Sequence, residues 1–341
     1  MPSVNAPATA VVTGANGYLG TWVAKSFLDQ GYHVRGTIRT AAKGEELKRL
    51  FAAYGEKYES VIVKDVLEDG AFDEAVKGAA LVVHTLSPVT ISSNPDDTIP
   101  PAVQGTVGIL KSAKKYQDTV KRVVVTGSVG CIAPINGDPA VYDESLVNEL
   151  DIQEVEQGSR DFMSIYYAAK TIAEKKAWAF VRDNDATFDL VFIHGSAFIG
   201  PPAHPLKSVK ETSVSLQHLW LGAVHGRDAE TVFWRGEGWI DIRDIALAHV
   251  LAAQKAEAGG ERIIVSAGDF VWQDLHDVAH AIDPTLPVGD SAAEKVYIRR
   301  YNNEKMKRVL GLEPRSLEET MRDSLEFYNT IPDKLEVNAT A

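Results

Sequence analysis

The sequence predicts an α/β fold, a doubly wound parallel sheet carrying a smaller, discontinuous C-terminal lobe. Three observations carry that reading. Short β-branched apolar runs alternate with helical stretches through the first half of the chain, the pattern of a parallel sheet covered on both faces. The first run leads into three glycines spaced by three, and then into a helix. Beyond about residue 130 the alternation lapses, as it does where a lobe is assembled from later segments.

Residues 8–13 are the first strand candidate, and 19–30 an amphipathic helix. The second strand is 34–38, followed by a Lys/Glu/Leu-rich helix over 43–54 and a third apolar run at 60–63. Two further buried-type strands, 81–84 and 122–126, flank a helical stretch around 103–116. Residues 132–160 read as an acidic loop. A helix resumes near Tyr166, and 188–193 is another buried strand. Pro201, Pro202 and Pro205 break regular structure across 200–206. A helix over 209–225 presents Leu216, Leu219 and Trp220, one over 240–253 returns to the first domain, and 265–330 mixes short elements. The expected division is a large domain of residues 1–190 with about 236–265, and a smaller lobe of 191–235 and 266–341.

Of the 341 residues, 45% are hydrophobic and 24% charged, an ordinary globular balance that excludes a largely disordered chain. The net charge of −12 repels phosphate backbones and anionic lipid, so neither nucleic acid nor a membrane is an expected partner. Apolar runs such as 79–83 are too short to span a bilayer, and residues 1–10 lack the features of a signal peptide. The single cysteine, Cys131, forms no internal disulfide and leaves no cysteine-based metal site. A soluble, cytoplasmic protein is expected, as monomer or homodimer.

In Thr13-Gly14-Ala15-Asn16-Gly17-Tyr18-Leu19-Gly20 the first glycine allows a tight turn, the second a close approach of backbone to pyrophosphate, and the third close helix–strand packing. Phosphates then sit at a helix N-terminus, where free N–H groups favour negative charge. The strand before, the helix after and the further βα units are the context a Rossmann dinucleotide site requires. The second strand carries no Asp or Glu for a ribose 2′-hydroxyl; the first carboxylate after it is Glu45. Arg39 and Lys43 instead offer charge-assisted bonds to a 2′-phosphate, the alternative being two solvated surface cations. NADPH (or NADP) is the expected cofactor. Asp65, with Val66 beside it, is placed to reach the adenine amino group, or else caps a turn.

Tyr166 and Lys170 are spaced by four and share a helix face. A neighbouring ammonium stabilises a phenolate and brings a tyrosine toward neutral proton exchange. Ser128 follows a strand at the carboxyl edge of the sheet, where ligands of open α/β sheets bind, and its hydroxyl is placed to hold a carbonyl oxygen while hydride arrives.

With these residues the sequence resembles the extended short-chain dehydrogenase/reductase family, and within it the dihydroflavonol reductases and the fungal aldehyde (carbonyl) and methylglyoxal reductases. The resemblance runs from about Ala8 to Tyr328. It rests on the glycine turn, on Val34-Arg35-Gly36-Thr37-Ile38-Arg39, Pro101-Ala102-Val103-Gln104-Gly105-Thr106, Val125-Thr126-Gly127-Ser128 and Tyr166 to Lys170, and on Trp239-Ile240-Asp241-Ile242-Arg243-Asp244-Ile245-Ala246 and Ser316-Leu317-Glu318-Glu319. It implies that Tyr166 is the proton donor, that Lys170 bonds the nicotinamide ribose and lowers the tyrosine pKa, and that Ser128 polarises the carbonyl. It further places His84, Thr85 and Leu86 over the cofactor ribose and pyrophosphate, Thr126 beside the cofactor, and Gly195, Ser196, Ala197 and Phe198 near the carboxamide. Two departures stand out: His194-Gly195 replaces a frequent Asn-Pro, and Gly108 a frequent Asn.

His276 and His280 have metal-ligand spacing but no glutamate between them and no evident third ligand, so structural histidines and no metal are expected. Gly127-Ser128-Val129-Gly130 misses the serine hydrolase elbow. Trp220, Phe233 and Trp239 line either a pocket or a core, and Cys131 reads as packing. The expected function is NADPH-dependent reduction of a fairly apolar aldehyde or ketone, with walls from residues 87–98, 132–164 and 197–234. The alternatives are a nucleotide-sugar epimerase or dehydratase, a hydroxysteroid-type dehydrogenase, and a non-catalytic NADP(H) sensor.

Overall fold

The computed structural model describes residues 3–87, 92–227 and 236–334. Its elements are β1 (Thr9–Thr13), α1 (Tyr18–Asp29), β2 (His33–Ile38), α2 (Ala41–Leu50), β3 (Tyr58–Ile62), α3 (Asp73–Val76), β4 (Leu81–His84), α4 (Ile99–Lys115), β5 (Arg122–Ser128), β6 (Ala140–Tyr142), α5 (Leu150–Glu156) and α6 (Phe162–Asp183). There follow β7 (Asp189–Gly195), β8 (Ala197–Ile199), α7 (Val214–Ala223), β9 (Glu237–Asp241), α8 (Ile242–Gln254), β10 (Arg262–Val265), β11 (Gly268–Phe270), α9 (Trp272–Ile282), β12 (Arg299–Tyr301) and α10 (Leu317–Thr330).

Seven strands form one parallel sheet in the order β10-β7-β5-β4-β1-β2-β3. Side chains alternate across it, as strand geometry requires. Ala10, Val12, Leu81, Val83, Val124, Val191 and Ile193 enter a core shared with α1 and α8. Val11, Val82, Val123, Val125, Leu190 and Phe192 enter the opposite core, with residues of α3, α4 and α6. Both faces are therefore covered, which is why these strands read as unbroken apolar runs. The order reverses between β4 and β1, and the cleft at that switch point lies beyond the carboxyl ends of the strands.

A three-stranded sheet, β11-β9-β8, builds the smaller lobe, with β8 and β9 parallel and β11 antiparallel to β9. Trp220, Trp239, Phe270, Leu275, Met321 and Tyr328 fill its core, so both described tryptophans of the ambiguous trio are packing; Phe233 lies outside the described residues. The expected boundary at residue 190 falls inside β7, all of which pairs into the large sheet. Passage between the sheets is abrupt: Ser196 alone separates β7 from β8, β9 runs directly into α8, and Ser266 and Ala267 separate β10 from β11.

Several local expectations need correction. The helix expected over 240–253 begins at Ile242, because Asp241 caps it, its carboxylate accepting from the Arg243 N–H at 2.7 Å; residues before it pair as β9. Likewise Ser213 caps α7, so 209–211 is a separate 3-10 turn. The helix expected over 43–54 is α2 followed by a 3-10 segment. The acidic stretch 132–160 is not a loop throughout: β6 pairs with β12, and α5 buries Asp151, which accepts from Asn148 Nδ2 at 2.6 Å and Ile135 N at 3.1 Å. No helix among the described residues is long and apolar enough to cross a membrane.

Candidate active site

The glycine turn joins β1 to α1. Gly14 has φ +65°, a left-handed conformation that glycine adopts without strain. A side chain on Gly20 would overlap the Gly14 carbonyl oxygen, so glycine there lets helix and turn touch. Asn16 and Gly17 are exposed, Gly17 caps α1 without a side chain, and no acidic residue occupies the first helical turn. The helix thus presents open N–H groups, a cradle that fits a pyrophosphate. Thr13 locks the adjoining strand end: its hydroxyl meets His84 Nδ1 at 2.9 Å and accepts from Leu86 N at 3.2 Å, while its carbonyl accepts from Thr85 Oγ1 at 2.6 Å. Tyr18 donates to the Gly200 carbonyl at 2.6 Å, tying the turn to the smaller lobe.

At the end of β2, Arg39 is exposed, and among the described residues its side chain has no ion pair or hydrogen bond. Lys43 is exposed and pairs with Glu46 at 2.9 Å. Asp65 is exposed and accepts from Leu67 N at 2.9 Å, a local turn, with Val66 half-buried beside it. Turn capping and a second role for Asp65 are compatible, since a carboxylate has two oxygens.

A cavity of about 990 Å³ opens beyond the sheet edge. Ser128, Tyr166 and Lys170 share its wall with Tyr18, Leu19 and Thr85 of the cofactor side, and with Gly195, Ser196, Ala197 and Phe198. Ser128 ends β5, and Tyr166 and Lys170 stand on α6, whose start is fixed by Asp161 accepting from Ser164 N at 2.8 Å. The Ser128 and Tyr166 side chains face the same cavity, and Ser128 Oγ accepts from Gly130 N at 3.1 Å. Burial pushes the Tyr166 hydroxyl up to about 12, the nearby Ser128 hydroxyl opposing it. Lys170 Nζ lies 5.9 Å from the centroid of the Tyr166 ring and donates to the Thr126 carbonyl at 3.5 Å; burial lowers its pKa. The three side chains are therefore together, with the tyrosine proton held firmly.

A sequence profile of the NAD dependent epimerase/dehydratase family matches residues 10–268. The chain belongs to this family. Relatives include a ketoreductase of Aspergillus niger, 32% identical over 338 residues, covering 92% of this chain and 96% of that protein. The NADPH-dependent methylglyoxal reductase of Saccharomyces cerevisiae is also 32% identical, over 332 residues, covering 92% and 96%. The crystal structure of yeast methylglyoxal/isovaleraldehyde reductase Gre2 complexed with NADPH matches with a TM-score of 0.84 and 29% identity, across 94% of this chain and 97% of that chain. The resemblance to extended short-chain dehydrogenase/reductases is thereby borne out, and this family member stands among its NAD(P)-dependent reductases.

Two residues expected beside the cofactor are also tied into the frame of the site. His84 is buried with its ring turned onto Thr13, its pKa down to about 3 through burial and the Lys170 charge, and it does not reach the main cavity. Thr126 lines the cavity while its hydroxyl is held by α8: His249 Nδ1 faces the Ile245 carbonyl at 2.7 Å and so donates, leaving Nε2 to accept from Thr126 at 2.8 Å. Of the expected walls, Ser87, Ile135 to Gly137, Asp161 to Met163, Ala197, Phe198 and Thr212 to Ser215 line the cavity, while 88–91 and 228–235 lie outside the described residues. His280 Nδ1 is taken by the Leu286 carbonyl at 2.8 Å.

Sequence reasoning missed two charged networks of this family member. On the cavity wall, Glu237 accepts from Arg299 Nε at 2.9 Å, Tyr301 at 2.7 Å and Tyr167 at 3.4 Å. Behind Ser128, Glu174 holds Arg262 through two bonds of 2.7 and 3.1 Å and His194 Nε2 at 3.1 Å, and His194 Nδ1 donates to the Ser128 carbonyl at 3.0 Å. The His194 that replaces Asn is thus a strut under Ser128. The one available signal was a glutamate at 237 directly ahead of the uncharged Gly238, Trp239 and Ile240.

Proposed function

We propose that this protein reduces an aldehyde or ketone to an alcohol with NADPH. The observation that carries the reading is the convergence of Ser128, Tyr166 and Lys170 on one cavity that Tyr18 and Leu19 of the glycine turn also line. NADPH, when bound, supplies the hydride. Gly14 to Gly20 hold its pyrophosphate at the α1 N-terminus, and Arg39, with Lys43 behind it, holds the 2′-phosphate. Ser128 fixes the carbonyl oxygen by a hydrogen bond, within reach of Tyr166. The tyrosine keeps its proton through the neutral range and releases it only to a strong base, which an alkoxide is. Lys170 bonds the nicotinamide ribose and stabilises the phenolate left behind.

The reductase reading is preferred to a sugar-nucleotide enzyme on the wall's chemistry. Among the described lining residues the cations are Lys170 and Arg299, and Arg299 is already paired with Glu237; a second diphosphate would need more. The test follows absorbance at 340 nm as NADPH or NADH meets a panel of keto esters, aryl ketones, aldehydes and methylglyoxal. NADPH oxidation is expected, and Tyr166→Phe should lower kcat by about 100-fold or more while NADPH still binds. Full activity in that variant would remove Tyr166 as proton donor.

A further inference from the structure

Arg299 lies on the cavity wall yet is only 2% exposed. Two anchors fix its fork: Nε donates to Glu237 Oε2 at 2.9 Å, and Nη1 donates to the Ile135 carbonyl at 2.9 Å. Glu237 is itself immobilised by the Tyr301 and Tyr167 hydroxyls. Nη2 has no hydrogen-bond partner among the described residues, and it is not among the polar atoms sealed from solvent without one. A buried guanidinium on the cavity wall, with two directions spent and Nη2 without a partner among the described residues, is a preoriented donor.

We propose that Arg299 is a specificity-determining residue, whose Nη2 donates to a second oxygen of a bifunctional carbonyl substrate. The proposal rests on the reductase reading and names the substrate class within it. Tyr167 connects the two ends of the site: its ring lies 5.9 Å from that of Tyr166, and its hydroxyl reaches Glu237. The carbonyl to be reduced therefore sits at Ser128 and Tyr166, and the second oxygen at Arg299. That oxygen is neutral, as in an ester, a second ketone or a hydroxyl. Glu237 already balances the guanidinium and is on the same wall, so a carboxylate there would meet a like charge. An apolar tail in the same place leaves a desolvated N–H without an acceptor, and sites of that kind reject analogues that lack the matching group.

The experiment compares a neutral keto ester with the simple ketone of the same length, in wild-type protein and in Arg299→Lys, which keeps a cation for Glu237 but withdraws the fork. The ratio of kcat/KM for keto ester over ketone is expected to exceed one in the wild type and to fall about 10- to 100-fold in the variant. A ratio unchanged by the substitution overturns the proposal. If Arg299→Lys does not fold, Glu237→Gln/Arg299→Met removes both charges together and carries the same comparison. Failure of the wild type to reduce any carbonyl would overturn the reductase reading instead. Calorimetric binding of the keto ester to the NADP complex then still decides the donor role: weaker binding in the variant upholds it, and equal binding ends it.

Discussion

Replacing Glu174 with glutamine tests whether the buried network behind Ser128 stabilises the fold through its charge. Glu174 is 3% exposed and meets Arg262 twice, His194 Nε2 once and Trp178 Nε1 at 3.1 Å. Burial alone would raise its pKa, but the His194 and Arg262 partners bring it from 4.5 down to about 2. A carboxylate with a depressed folded value contributes stability that is complete above its unfolded value and lost as pH falls through the folded one. The difference corresponds to about 3 kcal/mol at pH 7, falling to about 2 kcal/mol by pH 3.5. A similar figure follows from geometry, since unpairing a buried ion pair costs about 3–5 kcal/mol. Glutamine keeps the shape and one acceptor oxygen while removing the charge. Urea unfolding should therefore show Glu174→Gln less stable by about 3 kcal/mol at pH 7, with the gap narrowing toward acid. Equal stability at pH 7, or a gap that does not narrow at pH 3.5, would refute the reasoning.

Two further predictions concern the cofactor. Arg39→Asp should lower kcat/KM with NADPH about 100-fold relative to NADH, because it replaces charge-assisted bonds to phosphate with repulsion; equal effects on both cofactors would remove Arg39 from the 2′-phosphate. Gly20→Ala puts a methyl into the Gly14 carbonyl and within 3.1 Å of Thr85 Oγ1. Overpacking of that kind costs about 1–3 kcal/mol, so urea unfolding should shift and NADPH fluorescence titration should weaken. An unchanged titration would show that the turn tolerates the shift.

What was legible in the sequence was local. Glycines three apart after an apolar run, and a tyrosine four residues before a lysine, carry their geometry with them, because turn and helix fix it within a few residues. The large sheet was legible for a related reason, since strands covered on both faces leave unbroken apolar runs. The Glu237–Arg299 and Glu174–Arg262 pairs were not legible, as their members lie 62 and 88 residues apart and meet only through tertiary packing. Residues 237–241 illustrate a second difficulty: a short apolar run ahead of a helix matches either period, and only the Asp241 cap separates strand from helix. Trp220 and Trp239 were ambiguous because an aromatic side chain serves a core or a pocket equally well until its neighbours are known.

The abrupt passages between the two sheets bear on how the enzyme can change. A hinge needs slack, and one residue between β7 and β8, two between β10 and β11 and none between β9 and α8 leave little. The two sheets are in effect stapled at three places, one of them, Ser196, on the cavity wall, so the two lobes share one frame. Rocking one lobe against the other is then a poor way to admit or release a substrate. The freedom resides in the side walls, in residues such as Ile135, Phe162 and Val214 that stand on separate segments. A lineage can recut those walls for a new substrate one residue at a time, while the stapled frame beneath them passes unaltered from parent to descendant.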